Sequence, residues 1–168
     1  MKYLKELVLF VSFIGISVVG LAQTPAEFEA NYAKRIKLEE INGVYIPFDL
    51  EDAFAELTRL SDPQGIARFK SAHEDSIAQS HFGLQQWVQF NWGFDEGSRL
   101  SHYMKSKGIS VPDDMSRVIV LTYHRKLNGQ PLMLEQEVAL ISQRMAEEKA
   151  KRDAQKKTVV IEKRPHKE

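Results

Sequence analysis

Large apolar residues recur along this chain at spacings of three and four, and short runs of helix-ending and helix-starting residues interrupt them. Phe28, Tyr32 and Ile36 follow one another every fourth position, after Thr24-Pro25-Ala26-Glu27. There Thr24 serves as N-cap, Pro25 as first helical residue and Glu27 as the capping-box partner. Asn42-Gly43, flanked by Ile41 and Val44, predicts a small hairpin, and Pro47 bars a helix from running through. Asp49 then caps LEDAFAELTRL, with Leu50, Phe54, Leu57 and Leu60 on one face and Glu51 and Asp52 suited to the helix start. Ser61-Asp62-Pro63 opens a short helix carrying Ile66 and Phe69. A longer helix is predicted from about Glu74 to Trp92, stopped by Gly93, and Ser98 caps another, RLSHYMKSK, closed by Gly108.

The next segment is ambiguous by composition. Val118 to Tyr123 has strong strand propensity, yet Met115, Val118, Ile119, Thr122 and Leu127 form a helical stripe. Its Pro112-Asp113-Asp114 entry and Asn128-Gly129 exit are helix punctuation, so a helix is expected. After Pro131, Leu134, Val138, Ile141 and Met145 make a narrow apolar seam for docking on the core or on a partner. From Lys149 onward eight Lys/Arg stand against three Asp/Glu, which predicts a solvated helix fraying into a disordered tail. The fold expected is therefore all-α: a small compact bundle of short helices with an extended charged C-terminal helix. The expected divisions are a signal peptide over 1–22, an N-terminal helix and turn over 23–44, the bundle over 45–129, and the charged helix and tail over 130–168.

The signal peptide changes the setting. MKYLKE carries lysines, LVLFVSFIGISVVG carries no charge, and Gly20-Leu21-Ala22 offers small residues to a peptidase. The apolar run is about 15 residues where a membrane span needs about 20, so cleavage after Ala22 is expected, with an N-terminal anchor as the alternative. The mature chain would then work in the periplasm or be secreted. None of the 168 residues is cysteine, which excludes disulfides, Cys-ligated zinc and a thiol nucleophile. A formal net charge of zero gives no global attraction to nucleic acid. The basic tail is suited to anionic surfaces of an envelope.

IPFDLEDAFAEL, HFGL followed by Trp87, NWGF, GSRLSHYM, KGI, PDDMS and YHRKLNG, in this order, resemble a small bacterial family, DUF6794, a domain of unknown function. The likeness covers about Tyr45 to Gly129 and implies one ordered unit with no activity attached. The chain departs from the family pattern at Gln85, where a glycine is expected, and at Gln89-Phe90-Asn91, where Arg-Asn precedes the tryptophan. Phe94 also stands in place of Leu-Trp.

HFGLQQWVQFNWGF, from His81 to Phe94, is the densest chemistry in the sequence. On a continuous helix, His81, Trp87, Asn91 and Trp92 share one apolar arc, with Phe82 opposite and Phe90 on its flank. Most of the aromatic mass is then core, as in the central helix of a bundle, and His81 and Asn91 need hydrogen-bond partners there. The sharper alternative is a pocket between this helix and the Pro112-Asp113-Asp114 turn. Asp113 and Asp114 serve as N-cap and first-turn acids, or as paired carboxylates with Arg99 or Arg117 beside them. The candidate binding residues are thus His81, Trp87, Asn91, Trp92, Arg99, Asp113 and Asp114. His73, His81, His102, His124 and His166 show no metal-ligand spacing, so no metal or cofactor is expected. Ser98 lacks a nucleophile-elbow context. The function expected is an exported, non-enzymatic binding or interaction module for an envelope protein or small ligand. The alternatives are a small hydrolase using His81 with Asp113 or Asp114, and an adaptor acting through the C-terminal helix.

Overall fold

Eight helices and one hairpin follow one another among the described residues: α1 (Pro25–Arg35), β1 (Glu40–Ile41), β2 (Val44–Tyr45), α2 (Leu50–Leu60), α3 (Pro63–Ser71), α4 (Glu74–Gln79), α5 (Leu84–Asn91), α6 (Arg99–Ser106), α7 (Pro112–Leu127) and α8 (Leu134–Glu162). This computed structural model describes residues 24–79 and 83–162. Residues 1–23, where a signal peptide is expected, Ser80, His81, Phe82 and residues 163–168 of the basic tail lie outside them.

The starts follow the capping chemistry. Thr24 and Glu27 form their reciprocal box, and the Asp49 and Asp62 side chains accept from the amides of Asp52 and Gly65. Ser98 accepts from Ser101, whose hydroxyl in turn accepts from the Ser98 amide. Asn42 and Gly43 both have positive φ, 53° and 78°, which a two-residue hairpin turn requires.

α7 is the axle of the bundle. Eleven of its sixteen residues are buried, and α2, α3, α4, α5, α6 and α8 all pack on it. A helix buried on nearly every side belongs in such a central place, and this burial overrides the strand propensity of Val118 to Tyr123. Thr122 returns its buried hydroxyl to Val118 O at 2.7 Å, and the Tyr123 ring stacks between Phe54 and Phe69. Ile46, Leu57, Trp92, Phe94, Leu100, Met104 and Ile109 complete the core.

Two expectations are corrected here. The single helix from Glu74 to Trp92 is two helices, because Gly83 adopts φ 82° and serves as N-cap of α5. The helical arc drawn through both is therefore out of phase, and the central helix is α7. Nor do Asp113 and Asp114 cap α7: Val111 is the N-cap, without a side-chain bond, and the two acids occupy the first turn.

α8 docks through Leu134, Val138 and Ile141, the last only 2% exposed. The core therefore continues beyond Gly129. From Ser142 to Lys156 every residue is exposed, Met145 included. Six charges of alternating sign knit α4, α7 and α8 together. Glu74 pairs with Arg125 at 2.6 Å, Arg125 with Glu137 at 3.1 Å, Glu137 with Arg117 at 3.0 Å, Arg117 with Asp114 at 3.9 Å and Asp114 with Arg144 at 2.5 Å. The hydrogen bonds from Arg125 hold the Glu74 carboxyl below the usual glutamate range. Burial works against the charge on Arg125, but its bonds to Glu74 and Glu137 outweigh that and raise its pKa.

α1 buries no residue in the core. Polar contacts attach it: the Tyr32 hydroxyl lies 3.0 Å from His102 Nδ1, and Arg35 donates to Gly97 O and pairs with Glu96.

Candidate binding groove

α5 presents two faces. Gln85 and Val88 turn inward, and the buried Gln85 amide donates to Ile77 O at 2.9 Å across the break between α4 and α5. Gln86, Trp87 and Phe90 turn outward. The helix ends in a Schellman motif: the Phe94 amide donates to Gln89 O, the Gly93 amide donates to Phe90 O, and Gly93 has φ 64°. That turn sends Trp92 and Phe94 into the core while Phe90 stays in solvent, 81% exposed. The aromatic cluster is thus divided between core and surface, with Trp87 at the boundary, 37% exposed and edge-on to Trp92 at 6.0 Å between ring centroids.

Between the outward face of α5 and the first turn of α7 lies an open cavity of about 750 Å³. Gln86, Trp87, Gln89, Phe90, Asn91, Asp95, Asp113 and Ser116 contribute to its walls. A second cavity, about 360 Å³, shares Phe90, Asn91 and Asp95 with the first and reaches Arg35, Asn42 and Val44 beside the hairpin. Gln89 donates to Asp95 at 3.3 Å, Asn91 donates to Trp87 O at 2.9 Å, and Ser116 donates to Asp113 O at 3.0 Å.

The sequence-derived candidates therefore separate. Trp87, Asn91 and Asp113 line the same cavity. Trp92 is wholly buried, and its indole N–H finds no acceptor among the described residues. Asp114 is buried against Arg144 and Arg117, away from Asp113, since neighbouring residues in a helical first turn diverge. Arg99 lies elsewhere: its guanidinium donates to Ile46 O at 2.5 Å and sits over the Tyr45 ring. It ties α6 to the hairpin and pairs with neither aspartate; of the two arginines expected beside them, Arg117 is the one that pairs, with Asp114 at 3.9 Å. His81 lies outside the described residues. Gln86, Gln89, Phe90, Asp95 and Ser116 were missed. The signal for the first three is the interleaving of amides with aromatics in LQQWVQF, which a core-seeking pattern passes over.

These features define a small all-α domain with an open, amide- and carboxylate-lined aromatic groove. Residues 46–127 match the family model DUF6794, a domain of unknown function, and this segment of the chain is a domain of that family. The match ends with α7 and leaves α1 and α8 outside it. No curated protein matches the chain. No solved structure matches it.

Proposed function

We propose that the protein is an exported, non-enzymatic binding module, and that the groove between α5 and the start of α7 is its contact surface. The observation that carries this reading is the gathering of Trp87 and Phe90 with four amides and two carboxylates around one concavity. Phe90 is the most exposed of the large apolar residues described, a cost in water that contact with a ligand would relieve. Export rests on the layout of residues 1–22, a basic start, an apolar stretch and small residues before Gln23. No described helix is long and apolar enough to cross a membrane.

Native mass spectrometry of the protein purified from expressing cells tests both parts. The expected product begins at Gln23 and retains a non-covalent ligand or partner that Phe90→Ser releases. A product beginning at Met1 would argue for an anchor. Equal retention by Phe90→Ser would remove the groove from the reading.

A second reading has one observation in its favour. Residues 142–156 of α8 are exposed throughout, as an adaptor helix would be before meeting a partner. Loss of the partner on truncation after Arg144, with Phe90→Ser silent, would select it.

A further inference from the structure

Resting on the groove as the contact surface, we propose that its occupant is an extended peptide segment bearing lysine or arginine side chains. The two cavities share Phe90, Asn91 and Asp95 as walls, and their volumes together exceed what one small amine would fill. A chain laid across the Phe90 ring would reach both, running from the start of α7 towards the hairpin.

The charge of the lining is one-sided. Asp113 and Asp95 border the larger cavity, and Asp95 and Glu96 the smaller. Arg35, the guanidinium in that lining, is already engaged by Glu96 at 3.0 Å and by Gly97 O at 2.8 Å. Among the described residues neither Asp95 nor Asp113 is ion-paired, whereas Glu51, Glu74, Asp114 and Glu137 all are. The start of α7 carries about half a positive charge, which opposes a cation. Asp114 does not offset it at the groove, being neutralised by Arg144. The full charge of Asp113 does, and sets a negative sign at the mouth.

The rings complete the chemistry. A cation over an aromatic face is attracted by its quadrupole. Among the described residues this contact occurs three times, with Arg99 over Tyr45 at 5.1 Å, Lys105 over Tyr32 at 4.3 Å and Lys107 over Tyr103 at 5.2 Å. No cation of the described residues lies so over Phe90 or Trp87. Two open rings flanked by two unpaired carboxylates fit spaced ammonium or guanidinium groups on flexible stems.

The test is a titration of the purified protein, followed by the emission of Trp87 and Trp92 together, with four probes. These are an end-blocked peptide of alternating glycine and lysine, the same peptide with glutamine for lysine, spermidine, and a neutral chito-oligosaccharide. The lysine peptide is expected to bind and the glutamine peptide not, with affinity falling as salt rises. Asp95→Asn and Asp113→Asn should each weaken binding about two- to five-fold. Phe90→Ser should do so by a similar about two- to five-fold, all three with unchanged melting temperatures. Spermidine binding as tightly as the peptide overturns the peptide as occupant. Binding of the oligosaccharide or the glutamine peptide in place of the lysine peptide overturns the cationic ligand and keeps the contact surface. If no probe binds while a co-purified ligand still depends on Phe90, only the present inference falls; if that dependence is also absent, both fall.

Discussion

Arg144, near the end of the docked part of α8, holds the carboxylate of Asp114 in the first turn of α7 at 2.5 Å. The two partners differ in burial: the Asp114 side chain is 4% exposed and that of Arg144 49%. Arg144→Ala therefore leaves a buried carboxylate with only Arg117, at 3.9 Å, beside it. An unsatisfied buried charge-bearing group makes this loss cost about 1–3 kcal/mol, and the double variant Asp114→Asn/Arg144→Ala should recover part of it. Urea unfolding at neutral pH measures the difference; equal stability of wild type and Arg144→Ala would show that the pair contributes nothing.

The Glu74–Arg125 pair predicts a pH signature. Because hydrogen bonds from Arg125 hold the Glu74 carboxyl below its ordinary 4.5, the folded protein takes up this proton less readily than the unfolded chain. The resulting stability is fully present above that ordinary value and is lost as pH falls through the depressed folded value. Glu74 is partly exposed, so the effect is modest. Glu74→Gln should lower the urea midpoint at pH 7, and the difference from wild type should shrink as pH falls below the ordinary 4.5 and close only once the depressed folded value is passed. A difference that stays constant across the acid range would detach the pair from the titration.

Much of this architecture was legible in the residues because it is local. Thr24, Asp49, Asp62 and Ser98 mark helix starts by side chains that bond amides within three residues, and Asn42-Gly43 fixes the hairpin by its own backbone preference. The identity of α7 as helix was equally local, carried by Pro112 and Asn128-Gly129. What escaped is not local. A glycine inside an apolar period reads as a tolerated interruption, and nothing in the local pattern marks that Gly83 takes φ 82° and divides α4 from α5. That break rotates Phe90 out of the core. The ion-pair chain spans three helices; its signal, Asp114, Arg117 and Arg125 recurring along an apolar helix, is visible only once α8 is known to lie there. For the groove, Asp113 and Trp87 were visible as chemistry, while Asp95 joined them only through the Schellman turn.

Gly97 joins α1 to the body through steric fit. Its φ is 91°, and a Cβ there would lie 2.2 Å from Tyr32 Cδ2. Gly97→Ala must strain the backbone by about 1–2 kcal/mol and also push the Tyr32 ring aside. Since α1 contributes nothing to the core, the predicted result is selective: amides of α1 lose hydrogen-exchange protection, while those of α7 retain most of theirs. Uniform loss across both helices would mean that α1 is integral to the cooperative unit.

α8 supplies the sharpest division between residues that hold the fold and residues that do not. Ile141 is 2% exposed, and Glu137 bonds both Arg125 and Arg117, so the helix is structural as far as Arg144. Beyond it, residues through Lys156 contact solvent along every face. Truncation after Met145 removes exposed positions and should change stability by no more than about 0.5 kcal/mol. Truncation after Met133 removes the burial of Ile141, about 1.5–3 kcal/mol by itself, and strips Glu137 from the 6%-exposed Arg125. The expected outcome is an unfolded or aggregated product for the short chain and an unshifted thermal transition for the longer one. Calorimetry of the two truncations decides it: a cooperative transition in the shorter chain would place the edge of the folding unit at the end of α7, where the family match also ends.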